Sequence, residues 1–306
     1  MAGGQTIVAH IIVGRKQEPY LAAVLESIAG VCDYAIINDN SGEGESVNAT
    51  VAARSQLAST RRLQLVHSSF TGFASARNAC IEATPAPLRQ GWALVLDADE
   101  VHGSEIADMA ALLRTLPQSI DAVDGYSRHF VGSFDWWIAV ERRKCFFRLS
   151  EGRRWHGEIH EQLLPLGTQI VLPALWFHYG HVVTPQAEVE KSLLYASLGA
   201  GEAPPEEVLP IVTPHMVWSK LLRRANRFRG SHPAAALSTI ALLRKERAAI
   251  FSEVDAVVRE QTSADRVRNA LYRLNVSRLL AWRRFEARAR WHWPPSGSRT
   301  RQLGSP

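Results

Sequence analysis

Short apolar runs alternate with amphipathic stretches through the first third of the chain. Four of the runs have the length and composition of strands buried within a sheet, and they cover residues 6–13, 33–37, 63–67 and 92–96. The stretches between them repeat apolar residues at helical spacing, which predicts helices over residues 20–29, 46–59 and 74–83. Strands and helices in alternation favour an α/β fold with a mainly parallel sheet and right-handed crossovers.

The pattern changes after a further predicted helix at residues 104–116. Over residues 121–149 aromatic and β-branched residues alternate with polar ones, which predicts short, partly antiparallel strands that extend the sheet. Residues 155–164 and 170–179 continue this sheet region, and residues 184–198 predict a helix. Three helical stretches are then expected, at residues 217–229, 233–258 and 264–290.

Composition divides the chain into three parts. We expect an α/β domain over residues 1–200, a helical region over residues 201–293 and a disordered tail over residues 294–306, where Pro, Ser, Gly and Arg dominate. Residues 199–210 (GAGEAPPEEVLP) have the composition of a linker.

The bulk composition is typical of a globular protein, with 46% hydrophobic and 21% charged residues among 306. No apolar run approaches the roughly 18 to 20 residues that span a bilayer, and the N-terminal stretch lacks the basic start of a signal peptide. Cys32, Cys80 and Cys145 are widely spaced, which argues against a zinc cluster or a disulfide framework and favours a reducing compartment. These features predict a cytoplasmic protein.

Charge is distributed unevenly along the chain. From Trp218 onward there are 19 Lys and Arg residues against 6 Asp and Glu, whereas the rest of the chain has 16 against 24. A basic C-terminal third favours a polyanionic partner, such as anionic lipid or a phosphorylated acceptor, with nucleic acid the least favoured. A solvated helix face rich in arginine is an equally open alternative. Four aromatic residues among its arginines could contact the inner face of an anionic membrane, although helix packing explains the same pattern more simply. They are Trp282, Phe285, Trp291 and Trp293.

The strongest chemical signal follows the predicted strand at residues 92–96, where the sequence reads DADE. Asp97, Asp99 and Glu100 stand at the carboxyl end of that strand, and ligands of open α/β sheets bind at this edge. Adjacent carboxylates repel one another, and a divalent cation such as Mg²⁺ or Mn²⁺ relieves that repulsion and can hold phosphates. A solvated acidic turn is the simpler alternative.

The order of several motifs resembles that of the family-2 glycosyltransferases of the GT-A fold, over roughly residues 5 to 200. The motifs are the loop NDNS at residues 38–41, the ARN stretch that contains Arg77 and Asn78, and DADE at residues 97–100. The resemblance implies a GT-A nucleotide-sugar-binding catalytic domain over residues 1–200, with Mn²⁺ or Mg²⁺ as the cofactor.

The resemblance also implies donor-binding roles. Asp39 would bind the nucleotide base, and UDP is favoured because a carboxylate can accept the imide N–H of uracil. An aspartate that caps its own turn is the alternative, and Asn38 departs from the family's DDxS pattern. Arg77 would lie over the nucleotide, with a structural salt bridge as the alternative. Asp97 would face the ribose, and Asp99 would coordinate the cation that bridges two phosphates.

Residues 155–163 (WHGEIHEQL) resemble a G-x-[IV]-H-E segment of one bacterial branch of the family. An inverting transferase needs a base within hydrogen-bond reach of the acceptor hydroxyl, and Glu161 is the first candidate, with Glu158 second. His160 would orient the base or contact a sugar. If the segment were a strand, His156, Glu158 and His160 would share one face and could bind a metal instead. A polar loop without a catalytic role is the other alternative.

Residues 177–181 (FHYGH) resemble an HYG element of the same branch. By this resemblance His178 would complete the metal shell beside Asp99, since imidazole is an acceptable ligand for Mn²⁺. A core histidine is an equally open alternative. Lys191, on the predicted helix that follows, could reach a phosphate.

These expectations describe a metal-dependent inverting glycosyltransferase that moves a sugar from a nucleotide-diphosphate donor to a hydroxyl acceptor. UDP-sugar is the favoured donor, and the acceptor would be a glycan, lipid or protein, as in cell-surface or lipid-linked glycan synthesis. A nucleotide-sugar-binding protein without catalysis is the main alternative. The DADEV stretch also fits the nucleophile motif of haloacid-dehalogenase-type phosphatases, but that motif belongs near the N-terminus and needs a later Asp-Asp pair, which the sequence lacks.

Overall fold

The computed structural model describes residues 5–42, 46–199, 212–291 and 293. The strands are β1 (Ile7–Val13), β2 (Tyr34–Asp39), β3 (Leu63–His67), β4 (Trp92–Asp97), β5 (Glu100–Val101), β6 (Ile120–Val131), β7 (Ser133–Arg148), β8 (Arg154–His156), β9 (Gln162–Leu164), β10 (Thr168–His181) and β11 (Asn226–Arg227). The α-helices are α1 (Leu21–Ile28), α2 (Val47–Ala53), α3 (Gln56–Ser59), α4 (Phe73–Ala83), α5 (Glu105–Leu113), α6 (Pro185–Ser197), α7 (Pro214–Leu222), α8 (Leu237–Glu246), α9 (Ala248–Arg259) and α10 (Ser263–Trp291). The predicted α/β class is confirmed.

Within the described residues, nine strands form one mixed sheet in the order β3-β2-β1-β4-β7-β6-β10-β5, with β11 paired to β7. β1 is the centre of the parallel half, since it pairs in parallel with β2 on one side and with β4 on the other. All of its residues are buried, because alternate side chains face helices on the two sides of the sheet. Val13 pairs with Asp39 and Ile12 pairs with Asp97, so β2 and β4 end at the same edge.

The second half of the sheet is built on a long hairpin. β6 has 12 residues and β7 has 16, so the prediction of short strands over residues 121–149 is wrong. The turn between them contains Gly132 at φ 67°, a left-handed conformation that favours glycine and lets the two strands continue in one plane. β7 pairs antiparallel with β4 and thereby joins the hairpin to the parallel half, while β10 runs parallel to β6.

Three of the predicted helices are interrupted or shortened. Residues 46–59 form α2 and α3, because the Ser55 side chain accepts the Ala58 N–H and starts a new helix. Residues 233–258 form a turn of 3₁₀ helix and then α8 and α9, which meet at Arg247. The helix predicted over residues 217–229 ends at Leu222, and β11 then adds to the edge of β7.

Residues 154–164 leave the main sheet and form a small sheet of their own, in which β8 and β9 pair antiparallel. The loop between them, residues 157–161, contains Gly157 at φ 96° and His160 at φ 54°. The strand that would place His156, Glu158 and His160 on one face is therefore not formed, and this alternative metal site is wrong. Asn78 holds the small sheet against α4, because its side chain donates to the Trp155 carbonyl and accepts the Trp155 N–H, both at 2.9 Å.

The helical C-terminal region packs on the α/β core. Ile240 and Leu243 of α8 join the main hydrophobic cluster, while Val276 and Leu280 of α10 pack against Tyr126. Most of the predicted linker (residues 200–210) and the predicted disordered tail (residues 294–306) lie outside the described residues. Among the described helices, none is both long enough and apolar enough to cross a membrane.

Candidate active site

The carboxyl edge of the parallel strands brings two predicted site residues close together. Asp39 ends β2 and Asp97 ends β4, and the two strands flank β1 at neighbouring register positions. Two inter-strand spacings separate them, which is roughly 10 Å. A nucleotide could contact both side chains at once, as ligands of open α/β sheets do at this edge.

Arg77 links this edge to the β8–β9 loop. Its Nη2 donates to Asp97 Oδ1 at 2.8 Å, and its Nε donates to Glu161 Oε1 at 2.5 Å. The side chain is buried. Burial alone would lower the pKa of the guanidinium, but Asp97 and Glu161 outweigh it and raise the pKa above its ordinary value. The salt-bridge alternative for Arg77 is therefore present in the structure, and it assembles predicted donor and base residues around one cation.

α4 can approach the β8–β9 loop because its first turn begins at a glycine. Gly72 has φ 134°, and a Cβ there would lie 3.3 Å from the Glu158 Cα. The Phe73 N–H donates to the Glu158 carbonyl at 2.9 Å. A larger residue at Gly72 would be strained at this φ and would require the Glu158 backbone to shift by a few tenths of an ångström.

Arg143 is a second cation at Asp97 that the sequence analysis missed. Its Nη2 donates to Asp97 Oδ2 at 3.2 Å from β7. Its neighbours Arg142 and Lys144 face the other side of the sheet and bind Asp124, as the two-residue period of a strand requires. Burial alone would raise the pKa of Asp97, but Arg77 and Arg143 together lower it below its ordinary value.

Asp99 and His178 meet at the end of β10. His178 Nε2 lies 3.2 Å from Asp99 Oδ1, and both side chains are largely buried. Gly180 makes the contact possible, because a Cβ there would lie 2.5 Å from His178 Nε2 and 2.8 Å from Asp99 Oδ2. Burial would lower the pKa of His178, but the Asp99 charge outweighs it and raises that pKa. Burial likewise opposes ionisation of Asp99, yet His178 lowers its pKa well below the ordinary value.

The residues at this contact fit a divalent cation. A carboxylate oxygen and an imidazole nitrogen at 3.2 Å repel each other unless a proton or a cation lies between them. His129 Nδ1 lies 2.7 Å from His178 Nδ1, so one of the two rings donates to the other, and burial lowers the pKa of His129 to about 2. His178 can then donate from Nδ1 and present Nε2 as a ligand.

Asp99 and His178 would supply only part of a coordination shell. Within the described ranges, no group of three or more His, Cys, Asp or Glu side chains is placed to hold a metal ion. Mg²⁺ is often bound in this way, with one or two protein ligands completed by substrate phosphates and water.

Glu100 has a structural position beneath the site. Its Oε1 accepts the Trp176 Nε1–H at 3.1 Å, and its Oε2 accepts the Asp97 N–H at 3.1 Å. Both oxygens are thereby engaged in shaping the turn that presents Asp97 and Asp99.

The NDNS loop is held by side-chain hydrogen bonds. Asp39 Oδ1 accepts the Ser41 N–H at 3.0 Å, and Oδ2 accepts the Ser46 hydroxyl at 2.7 Å and the Asn48 amide at 3.3 Å. Burial would raise the pKa of Asp39, but these hydrogen bonds lower it below the ordinary value. The turn-capping alternative for Asp39 is thus seen directly. Asn38, which departs from the family pattern, donates to the Ala76 carbonyl at 2.8 Å and ties β2 to α4.

The two candidate bases differ in their surroundings. Glu161 Oε1 is held by Arg77, whereas its Oε2 makes no hydrogen bond with the part of the chain that the structure describes. Glu158 is exposed, and its side chain has no such partner there either. His160 is also exposed and does not hydrogen-bond to Glu161, so the structure does not bring together the orienting pair expected from the sequence.

Lys191 and the loop after β1 complete the surroundings of Asp99. Lys191 Nζ donates to the Gly180 carbonyl at 3.4 Å. Glu18, which the sequence analysis missed, is buried beside Arg15 at 3.2 Å, and burial together with the Asp99 charge raises the pKa of Glu18 to about 7. The one sequence signal that could have indicated Glu18 is its place in the loop after the buried strand β1, which ends at Val13.

Comparisons with known proteins give a family match. A sequence model described as Glycosyl transferase family 2 matches residues 10–162. None of the curated proteins compared with the chain matches it.

Several solved structures are similar to the chain. Glucosyl-3-phosphoglycerate synthase from Mycobacterium tuberculosis, in complex with Mn²⁺, UDP and glucosyl-3-phosphoglycerate, is 19% identical over 41% of this chain and 45% of that chain (TM-score 0.30). GalNAc-T7 with UDP, GalNAc and Mn²⁺ is 13% identical over 54% of this chain and 30% of that chain (TM-score 0.36). TarS 1-349 from S. aureus is 11% identical over 88% of this chain and 92% of that chain (TM-score 0.36). The chain spans less than half the length of the first two structures.

Proposed function

Because the chain belongs to glycosyl transferase family 2, we propose that it is a nucleotide-sugar glycosyltransferase that transfers a sugar from a UDP-sugar to a hydroxyl acceptor with inversion. The observation that carries the proposal is the convergence of distant segments: Arg77 contacts Asp97 and Glu161 at once, beside the Asp99–His178 contact. Membership of this enzyme family argues against both the phosphatase and the non-catalytic binding protein.

Asp39, Asp97 and Arg143 would bind the nucleoside. The Asp39 carboxylate is oriented by Ser41 and Ser46, and an ionised carboxylate retains acceptor capacity for the imide N–H of uracil. Asp97 is fixed from both sides by guanidinium groups and would accept a ribose hydroxyl. UDP would then be selected over other nucleotides because the Asp39 carboxylate is a fixed hydrogen-bond acceptor at the edge of the uracil ring.

Asp99 and His178 would hold Mn²⁺ or Mg²⁺ against the donor diphosphate, where the ion would offset negative charge on the leaving UDP. Lys191 has N–H donors left after its bond to Gly180 and could bind a phosphate oxygen. Arg143 is about one-third exposed and lies on the same edge, so its guanidinium could also face the diphosphate.

Glu161 would act as the base. Arg77 fixes Oε1 and leaves Oε2 free to accept the proton of the acceptor hydroxyl as that hydroxyl attacks C1 of the sugar. The C1–O bond to the diphosphate breaks in the same step, so the anomeric carbon inverts. Glu158 remains the second candidate, since it is exposed on the same loop, and His160 would contact a sugar.

Residues 1–200 would form the catalytic domain and residues 201–293 a helical region that shapes the acceptor side. The acceptor class, whether glycan, lipid or protein, would be reached from the cytoplasmic face of an anionic membrane. The basic, aromatic C-terminal third supports this location.

The proposal is tested by incubating the protein with a panel of nucleotide-sugars, with and without Mn²⁺, and measuring thermal stability and nucleotide release. We expect UDP-sugars to stabilise the protein only with the metal, and UDP to be released slowly by hydrolysis even without an acceptor. Stabilisation by GDP-sugars or CMP-sugars alone would contradict the assignment of Asp39 to uracil.

A further inference from the structure

The long helix α10 has a second apolar face that the fold does not use. One face packs on the sheet through Val276, Leu280 and Ala287. The opposite face carries large apolar side chains whose exposed fractions are between 46% and 65%. They are Val267, Leu271, Leu274, Trp282 and Phe285.

The exposed apolar residues form a continuous stripe. At 100° per residue they fall within roughly 80° of one another around the helix, and from Val267 to Phe285 the stripe is about 27 Å long. The sequence had grouped four aromatic residues as one patch, but the structure separates them, because Trp293 is buried and Trp291 packs against the core. Trp282 and Phe285, at 60% and 65% exposure, remain on the outer face.

Unpaired positive charge borders the stripe. α10 contains eight arginines against one aspartate and one glutamate. The side chains of five of these arginines make no hydrogen bond or ion pair with another described residue. They are Arg266, Arg273, Arg278, Arg284 and Arg288. Apolar side chains with a basic border are the composition of helices that lie in a membrane interface, where anionic lipid headgroups match the arginines.

We propose that the outer face of α10 is a docking surface for an anionic lipid membrane. The helix would lie in the plane of the interface, with Trp282 and Phe285 at the boundary between headgroups and acyl chains. Lipid phosphates would pair with the arginines that lack a partner within the fold. The inference rests on the membrane location proposed above and names the surface that would make the contact. No residue of the proposed transfer reaction lies on this surface, so the vesicle test and the transfer assay can fail separately.

Charge also decides against a second copy of the chain as the occupant. Two copies of this face would bring together sixteen arginines and only four acidic residues of the paired helices. Like charges across an interface are unfavourable. An apolar dimer seam of this length would need compensating acidic residues at its border, and α10 does not supply them.

The test is co-sedimentation of the full chain with vesicles of phosphatidylcholine alone or of phosphatidylcholine with phosphatidylglycerol. We expect binding only to the anionic vesicles, and weaker binding at high salt. Trp282→Ser with Phe285→Ser should lower the vesicle partition coefficient by at least about tenfold. The matched control is Leu237→Ser with Leu242→Ser, since these α8 residues are similarly exposed, at 53% and 56%. The control should leave the vesicle partition coefficient unchanged.

The charge contribution is tested separately with the double variant Arg273→Glu, Arg278→Glu. The control is the double variant Arg54→Glu, Arg259→Glu, which changes the net charge by the same amount at positions outside α10. Only the α10 pair should abolish binding to the anionic vesicles. Unfolding temperatures of all variants should match wild type, because none of the substituted side chains is buried. Equal loss in both pairs would mean unspecific attraction and would overturn the proposal.

A label reports the orientation. Cys32, Cys80 and Cys145 are buried, so a thiol-reactive fluorophore would label only an introduced, exposed cysteine. The two label positions are Ala289→Cys on the outer face of α10 and Ser252→Cys on α9. We expect a blue shift on anionic vesicles only at position 289. Equal affinity for neutral vesicles, binding that survives the Trp282 and Phe285 substitutions, or a dimer in light scattering that these substitutions dissociate would each overturn the proposal.

Discussion

Replacing Arg77 by methionine should destabilise the protein far more than the loss of a surface ion pair. The Arg77 side chain is 4% exposed, and it holds Asp97 and Glu161, which are 23% and 13% exposed. Methionine keeps much of the volume and leaves both carboxylates without this partner. Breaking a buried pair costs about 3–5 kcal/mol. Because both carboxylates keep some contact with water and Asp97 keeps Arg143, we expect a loss of about 2–4 kcal/mol in the free energy of unfolding.

Urea unfolding followed by circular dichroism at neutral pH measures this loss. Arg142→Met is the matched control, since Arg142 is 50% exposed and its partner Asp124 keeps Lys144. We expect the control to cost less than about 1 kcal/mol. Asp97→Asn and Glu161→Gln in the Arg77→Met background should restore much of the stability, because uncharged amides no longer need a cation. A cost for Arg77→Met no larger than that of the control would refute the reasoning.

Three further predictions follow from the site. Glu161→Gln should lower the transfer rate by about 10²- to 10⁴-fold at unchanged UDP affinity, whereas Glu158→Gln should change the rate by less than about threefold. Steady-state kinetics measure both rates. A larger loss in Glu158→Gln than in Glu161→Gln would make Glu158 the base. Asp99→Asn should abolish the gain in UDP affinity that Mn²⁺ gives wild type, as measured by calorimetry with and without metal, and an unchanged gain would contradict the site. The pKa values of Asp97 and Asp99 are lowered in the fold, so the stability they contribute is complete above the unfolded pKa of about 3.9 and is lost as the pH falls through the lowered values. The free energy of unfolding, measured with urea at decreasing pH, should therefore fall more steeply in wild type than in Asp99→Asn. Parallel curves would show that the fold does not lower the pKa of Asp99.

The parallel half of the fold could be predicted from the sequence because its signal is local. β1 and β4 lie between helices on both faces, so nearly every position must be apolar, and the runs at residues 6–13 and 92–96 show this, with the buried His10 paired to Thr84 as the exception within β1. The hairpin of β6 and β7 could not be predicted in the same way. Its alternation continues through Gly132, and nothing local shows that two long strands, rather than several short ones, meet there.

Helix interruptions were missed for a similar reason. Ser55 does not interrupt the helical pattern in the sequence. In the structure its side chain accepts the Ala58 N–H and caps the start of α3. Arg247 ends α8 at φ −114°, although the apolar spacing continues into α9. Spacing reports which face is buried, and it does not report where the backbone turns.

Site residues divide along the same line. Asp97 and Asp99 were recognisable because they follow a buried strand, at the sheet edge where open α/β sheets bind their ligands. Arg143 was not, since Arg142, Arg143 and Lys144 are equivalent in sequence, and only the strand register sends the middle one to Asp97 and the outer two to Asp124. His129 lies far in sequence from His178, and the pairing of β6 with β10 places their Nδ1 atoms 2.7 Å apart.

The sequence by itself determined the α/β class, the edge at which the acids gather and the residue types that could bind a nucleotide-sugar, because these depend on local burial and on side-chain chemistry. The tertiary structure decided which carboxylate each arginine holds, which oxygen of Glu161 is left free and which aromatic residues of α10 face outward. Those features depend on the register between strands and on the packing of segments that are distant in the chain, and neither is encoded in any short stretch of residues.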